Sequence, residues 1–387
     1  MTNNYTTTND TTNTNTTINS NSKKIARTAL DEIGGDGSFK RTPSKFVSKI
    51  EPGGRFEPEA ERYHLYVALA CPWAAGTLAA LKHKGLDGIV GVSVVHSTWG
   101  KTNTNGNDND PHCGWHFRNP GDDPVTNSLG YGSFECDDAL VPDTVNGAKT
   151  VRELYQLAND TSGKYTTPIL WCKKENTIVN NESLQILKIL DESFAGVLRD
   201  NGKDNGKDND RCLFPPKLQA QAEEWNELIY NTVNNGVYKC GFAKSQAAYE
   251  TAHKELFATL DKLEAHFGEQ KSNSNSSSNS GPPLFLMGTQ QPTWLDIRLY
   301  MTLVRFDPVY VVYFKCSHKK IGDSYPNLLE YIRTCYQRVP AIREATNMRH
   351  IKMHYFSSHP ILNAYGIIPV SNGPSLTEGW EDKQEKE

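Results

Sequence analysis

The sequence has no Cys-x-x-Cys pair, no apolar run approaching the ~18 residues that cross a bilayer, and no marked excess of either charge. Its eight cysteines are scattered at positions 71, 113, 136, 172, 212, 240, 316 and 335, which argues against a zinc ribbon or a disulfide framework and suits a reducing compartment. The lack of a long apolar run excludes a transmembrane helix. With 41 basic against 45 acidic residues, the net charge of −4 gives no electrostatic case for nucleic acid or a membrane surface, and a small-molecule substrate is expected. The N-terminal stretch through Ser22 is nearly all Thr, Asn and Ser, without the apolar core of a signal peptide, so a cytoplasmic location is expected.

What is present suffices for two ordinary cores: 387 residues, 37% hydrophobic and 10% aromatic. Residues 1–37 read as a disordered Thr/Asn-rich tail, and residues 101–110, 200–210 and 271–280 as solvated loop insertions that mark where ordered elements stop. The expected division is an α/β domain over 38–199, a linker over 200–213, an all-helical domain over 214–370 and a tail over 371–387.

The chain is organised around residues 62–74. Leu65 and Val67 alternate with polar neighbours at the strand period, whereas the alanines and leucines of 74–81 favour a helix that Pro72 opens and Gly85 closes. Cys71 therefore stands at a helix N-terminus, where free N–H groups and the helix dipole are expected to lower its pKa and make it a nucleophile. A strand follows at 89–95, then a helix over 150–159 with Val151, Leu154 and Leu157 on one face. A hairpin (168–172 and 177–179) and a helix over 182–194 complete a thioredoxin-like plan.

In that plan Cys71 faces Thr166-Thr167-Pro168. A proline starting a central strand predicts a cis Thr167–Pro168 bond that presents the Thr167 backbone to a peptide-like thiol. Asn181-Glu182-Ser183 opens a helix whose N–H groups, Ser183 hydroxyl and Glu182 carboxylate suit the end groups of a small peptide, and Ser183 can also cap the helix. Helical patterns then run over 219–233, 248–267 and 294–304, the last capped by Thr293 with Asp296 one turn on. An α/β domain followed by a helical one leaves a cleft between them.

Seven motifs occur in order: residues 63–74 around Cys71-Pro72-Trp73, Gly-Trp-His-Phe (114–117), Thr-Ile-Val-Asn-Asn-Glu-Ser (177–183), Val-Tyr-Lys-Cys-Gly-Phe-Ala (237–243), Arg-Phe-Asp-Pro-Val-Tyr (305–310), Phe-Lys-Cys (314–316) and His-Ile-Lys-Met-His-Tyr (350–355). Together they resemble the glutathionyl-hydroquinone reductases, the Xi class of glutathione transferases, over residues 38–370. The resemblance implies a thioredoxin-like domain plus a helical domain, a homodimer, glutathione as co-substrate and no metal. His112, Cys113 and His116 are too few and poorly clustered for zinc.

It further implies a reaction in which the Cys71 thiolate attacks the sulfur of a glutathionyl-hydroquinone, and a second glutathione resolves the mixed disulfide. Tyr238 matches the proton donor, and Tyr310 and Tyr355 match tyrosines that line the hydroquinone pocket and hold the thiolate. Trp115 should pack on glutathione, Lys164, Tyr165, Thr166 and Thr167 should supply backbone and charge, and Glu182 with Ser183 should bind the γ-glutamyl end. Three departures stand out: Ala75-Gly76 where members carry His-Arg, Lys164 where arginine is usual, and Trp294-Leu295 before Asp296. The missing basic pair is expected to raise the Cys71 pKa or alter specificity. The alternatives are an omega-like thiol transferase or dehydroascorbate reductase using the same Cys71, and a non-catalytic transferase-like scaffold.

Overall fold

The structure, a computed structural model, describes residues 28, 31–103, 110–202, 211–274 and 284–378. The readings for residues 1–27 and for most of the three polar insertions lie outside the described residues.

The first unit is built on a four-stranded sheet in the order β2-β1-β5-β6: β1 (Tyr63–Val67), β2 (Val90–Val94), β5 (Ile169–Cys172) and β6 (Thr177–Asn180). β1 pairs in parallel with β2 and antiparallel with β5, which pairs antiparallel with β6. The short β3 (Gly100–Lys101) and β4 (Cys113–Gly114) form a separate ribbon. The alternation expected for β1 gives way to burial of all five residues. Tyr63, Leu65 and Val67 face the main core, while Tyr66 faces a second cluster with Trp115, Phe117, Tyr155 and Trp171. Covering both faces requires partners for the polar atoms: His64 Nε2 lies 2.8 Å from Ser93 Oγ, and the Tyr66 hydroxyl donates to Asp143 at 2.8 Å.

Helix α1 (Pro72–His83) follows β1 directly, with Pro72 in its first turn. It ends at Gly85, whose φ of +69° is a left-handed conformation that glycine adopts without strain. α2 (Val151–Leu157) buries Val151 and Leu154, but Leu157 is exposed because the helix stops there and its last turn faces outward. α3 (Ser183–Glu192) is capped by the Glu182 carboxylate, which accepts from Leu184 N and Gln185 N, so Ser183 is the first helical residue and not the cap. α4 (Ala195–Asp200) closes the unit.

The second unit is helical: α5 (Gln219–Ile229), α6 (Gly236–Phe242), α7 (Gln246–Ser274), α8 (Trp294–Leu303), α9 (Val311–Tyr313), α10 (Ile321–Ser324), α11 (Pro326–Arg338), α12 (Pro340–Glu344) and α13 (Met348–Ser357). Two differences from the sequence expectation matter. α7 runs on through Ser274, past the expected break at Lys271, whose ammonium pairs with Glu330 of α11 at 2.7 Å. The helix read over 219–233 widens into a π-turn at Tyr230–Asn234, and a second π-turn spans Phe306–Tyr310. The first is followed by α6, which carries Tyr238, and the second contains Tyr310, in keeping with the habit of such bulges of re-aiming side chains at functional positions.

α1 packs on α8 where Gly76 lies: a Cβ there would sit 3.4 Å from Ile297 Cγ2, and Ala75 is fully buried. Residues 31–37, expected within the disordered tail, are ordered against the helical unit, with Lys244 N donating to Gly37 O and Ser245 Oγ to Asp36 O.

The start of α8 is held by Asp296. Its buried carboxylate accepts from Thr293 N and Oγ1 at 2.8 and 2.7 Å, from Leu286 N at 2.9 Å and from the Tyr331 hydroxyl at 3.0 Å. Asp296→Ala orphans four donors at once, and urea unfolding should show a loss of roughly 3 kcal/mol or more. A loss below roughly 1 kcal/mol would contradict this role.

Candidate active site

The β1–α1 turn leaves Cys71 at the N-cap of α1. Its Sγ lies 3.7 Å from the carbonyl oxygen of Thr167, and the Thr167–Pro168 bond is cis. The N–H groups of Trp73 and Ala74 and the charges of Arg305 and Arg41 favour the thiolate, as a helix N-terminus should. Burial outweighs them, however, and the thiol pKa is raised above its ordinary value. The expected lowering is therefore corrected: the residue opens partly onto the cleft, but the sulfur sits at the cleft floor with little water to solvate a charge.

That cleft is a cavity of about 480 Å³ between the two units, and ten of the expected site residues line it: Cys71, Trp115, Lys164, Tyr165, Thr166, Thr167, Glu182, Ser183, Tyr238 and Tyr355. Tyr310 does not line it. It is fully buried behind Tyr355, with the two hydroxyls 3.1 Å apart, so the expectation that it faces the substrate is corrected to a supporting position. The Tyr238 and Tyr355 hydroxyls are 2.8 Å apart, which completes a hydrogen-bonded trio. Burial raises the pKa of all three, and at Tyr238 the neighbouring Cys71 charge adds to the effect. The phenols stay protonated and can donate.

At the peptide end, the Tyr155 hydroxyl lies 3.1 Å from Thr166 O and 3.0 Å from Thr166 Oγ1 while accepting from Asn181 Nδ2 at 2.9 Å, which fixes the loop before β5. Lys164 is already engaged: its Nζ bonds Glu32 Oε1 at 2.5 Å and Thr42 O at 3.2 Å, so the charge expected for glutathione is shared with a buried carboxylate. Glu182 is likewise committed in part to capping α3.

Several cleft residues were not singled out from sequence. Arg41 stacks over Phe39, Trp73 and Tyr238 at 5.1–5.3 Å and donates to Asn235 Oδ1 at 2.9 Å. Arg305 is fully buried and bonds the carbonyls of Leu69 and Ala70, just before the cysteine. Trp99, His354 and His359 line the cavity as well. Arg305 and His354 lie inside motifs read above, a usable signal, whereas nothing in the sequence around Arg41 marked it. Because Arg41 is one of the few cations near the sulfur, Arg41→Met should raise the Cys71 pKa further. Iodoacetamide alkylation of Cys71 in the glutathione-free protein should titrate above the ordinary thiol range and shift upward in the variant; a midpoint near neutrality would contradict this.

Comparisons with known proteins agree with this arrangement. The glutathione S-transferase N-terminal domain family matches residues 70–193, and the C-terminal domain family matches residues 246–334. "Glutathionyl-hydroquinone reductase YqjG" of Escherichia coli is 39% identical over 358 residues, covering 90% of this chain and 91% of that one. "Glutathione S-transferase omega-like 2" of Schizosaccharomyces pombe is 38% identical over 343 residues, covering 88% and 95%. Among solved structures, the Xi glutathione transferase of Phanerochaete chrysosporium superposes with a TM-score of 0.72 at 39% identity, covering 88% of this chain and 94% of that one. The Saccharomyces cerevisiae Xi enzyme ECM4 in complex with glutathione does so with 0.74 at 32% identity, covering 88% and 99%. With its partly buried cysteine at a helix N-terminus, its cis-proline loop and both domain families matched in order, this chain belongs to the glutathione transferase family, in its Xi class.

Proposed function

We propose that this protein is a glutathionyl-hydroquinone reductase that uses glutathione as co-substrate. The observation that carries the reading is the placing of the Cys71 thiol in the same cavity as Tyr238 and Tyr355, with Tyr310 behind them. Relatives named glutathionyl-hydroquinone reductase support it.

In the first half-reaction Cys71, as thiolate, attacks the sulfur of the glutathionyl-hydroquinone. An S–S bond forms, the aryl C–S bond breaks, and its electron pair goes to the ring carbon. That carbon takes a proton from the Tyr238 hydroxyl, so hydroquinone leaves and Cys71 holds a mixed disulfide with glutathione. The sulfur pair is oxidised by two electrons and the ring carbon reduced by two. A second glutathione gives its thiol proton to the Tyr238 phenolate and, as thiolate, attacks the glutathionyl sulfur, which releases oxidised glutathione and regenerates the Cys71 thiolate and the Tyr238 phenol.

The chain's own groups set the stage. The Thr167 backbone and Trp115 hold the glutathionyl peptide, Tyr165 and Thr166 border it, and the Glu182-Ser183 end of α3 receives the γ-glutamyl group. Lys164 acts mainly by fastening the Glu32 segment over this end. Ala75 and Gly76 cost the site no charge it depends on, because Ala75 is fully buried and Gly76 packs against α8 while Arg305 and Arg41 supply the positive potential.

The omega-like reading, a thiol transferase or dehydroascorbate reductase, shares the first step and has support in the omega-like names of some relatives. The tyrosine trio favours an aromatic leaving group. Among the described residues no helix is long and apolar enough to cross a membrane, and we place the protein in the cytoplasm as a homodimer. Light scattering should give twice the 43.3 kDa chain mass.

The deciding assay follows oxidised glutathione formed from glutathionyl-menadiol and excess glutathione. Wild type should turn over, Cys71→Ala should lose all activity, and Tyr238→Phe should lower kcat by roughly 10–100-fold with KM little changed. Faster turnover of dehydroascorbate than of the menadiol adduct would favour the omega-like reading. Retention on immobilised glutathione without any turnover would favour a scaffold.

A further inference from the structure

Residues 96–99 and the end of α13 meet at the cleft, and His354 sits where they meet. Its ring stacks on Trp115, with centroids 4.5 Å apart at 28°, and stands edge-on to Trp99 at 5.4 Å. Its Nδ1 lies 3.0 Å from the carbonyl oxygen of Ser97 and 3.0 Å from Ser358 Oγ. A carbonyl only accepts, so Nδ1 carries the proton and Nε2 of the neutral ring is left as an acceptor.

That Nε2 has no hydrogen-bond partner among the described residues and is not sealed off by protein. His354 lines the same cavity as Cys71, Trp115 and Tyr355. Burial, reinforced by His359 and Arg305, holds its pKa well below the ordinary value, so the ring stays neutral and the acceptor stays available. An uncharged acceptor on a ring that lines an aromatic cavity suits a hydroxyl and offers nothing to a carbonyl or an ether oxygen.

We propose that His354 Nε2 accepts a hydrogen bond from a ring hydroxyl of the hydroquinone, which makes His354 a substrate-positioning residue that selects the reduced, hydroxyl-bearing ring. The inference rests on the function proposed above and adds the group that reads the redox state of the substrate. The selection has a chemical use. A quinone is an electrophile that alkylates thiolates, so a site that favours the hydroquinone keeps quinones away from Cys71.

The two nitrogens can be separated by substitution. His354→Asn places an amide N–H near the position of Nδ1, keeping the link to Ser97 and removing the acceptor. His354→Gln reaches the position of Nε2 with an acceptor and gives up the link to Ser97. Binding is read by quenching of tryptophan fluorescence in the glutathione-loaded full chain under exclusion of oxygen, with 1,4-dihydroxynaphthalene and 1,4-dimethoxynaphthalene as probes.

Wild type should bind the diol about tenfold or more tightly than the ether, the worth of one ordinary hydrogen bond. The Asn variant should bring that ratio to within about twofold, and the Gln variant should keep most of it. An unchanged ratio in the Asn variant, a wild type that does not distinguish or bind the probes, or an Asn variant like wild type beside a Gln variant without preference would each overturn the proposal. Should the Asn variant fail to fold, the wild-type and Gln ratios decide. The readout needs no turnover, so a wild type that binds with the expected preference but fails to reduce glutathionyl-menadiol would overturn the proposed reaction alone.

Discussion

Arg305 joins the two halves of this molecule at the turn that carries Cys71. Its guanidinium is fully buried, yet it has acceptors on three sides: Leu69 O at 2.9 Å, Ala70 O at 3.2 Å and Met301 O at 2.5 Å. Two of these belong to the turn that presents Cys71, and the third to α8 of the helical unit. Buried guanidinium is costly unless its donors are used, and here the planar fork spans both units. The same group sends positive potential toward Cys71 and the tyrosines. One residue thus fixes the position of Cys71, the docking of the units and part of the field in the cleft.

The N-terminal strap is a second tie. Arg41 lies over Trp73 of α1 and Tyr238 of α6 and bonds Asn235, while Glu32 holds Lys164 at the peptide end of the cleft. The cleft walls therefore come from the sheet unit, the helical unit and a segment that precedes both. Composition concealed this. Residues 31–37 continue a polar, glycine-containing stretch, and a strap held by a few specific contacts has no periodicity to reveal it.

The thioredoxin-like plan was legible because each element carried its own punctuation: Pro72 and Gly85 around α1, the 173–176 turn in the hairpin, and the Thr293–Asp296 box at α8. Local signals of this kind survive folding because they concern residues near in sequence. The π-turns were not legible, since each depends on helix–helix packing that a helical period cannot distinguish from an ordinary turn. For the site, residue types and order placed ten residues in the right cleft, but not their engagement. That Tyr310 stands behind Tyr355 and that Lys164 already has a carboxylate are long-range facts, whereas the Glu182 cap is local but competes with Ser183 for the same helix end. The largest miss was electrostatic. Helix position alone predicted a lowered thiol pKa, while burial, which only the packed structure reveals, reverses the sign.

A raised thiol pKa does not conflict with the attack proposed for Cys71: burial opposes the thiolate, and the charge of that thiolate acts in turn on Tyr238 and can time the proton transfer. The Cys71 charge raises the pKa of Tyr238, so the two groups repel each other's ionised forms and the phenol stays protonated while the thiolate waits. In the proposed reaction, once the thiolate attacks, its charge passes through the forming disulfide to the ring carbon. The repulsion that raised the Tyr238 pKa then fades, and the phenol becomes a stronger acid as a basic carbon develops in the cleft. Tyr355 and Tyr310 continue the chain of hydroxyls and can share the charge left on Tyr238 after donation, with Arg305 favouring the phenolate at Tyr310 and Tyr355. In that proposed reaction, burial of Cys71 next to Tyr238 makes proton donation depend on attack, which suppresses needless protonation of bound intermediates and matches a leaving group that is carbon.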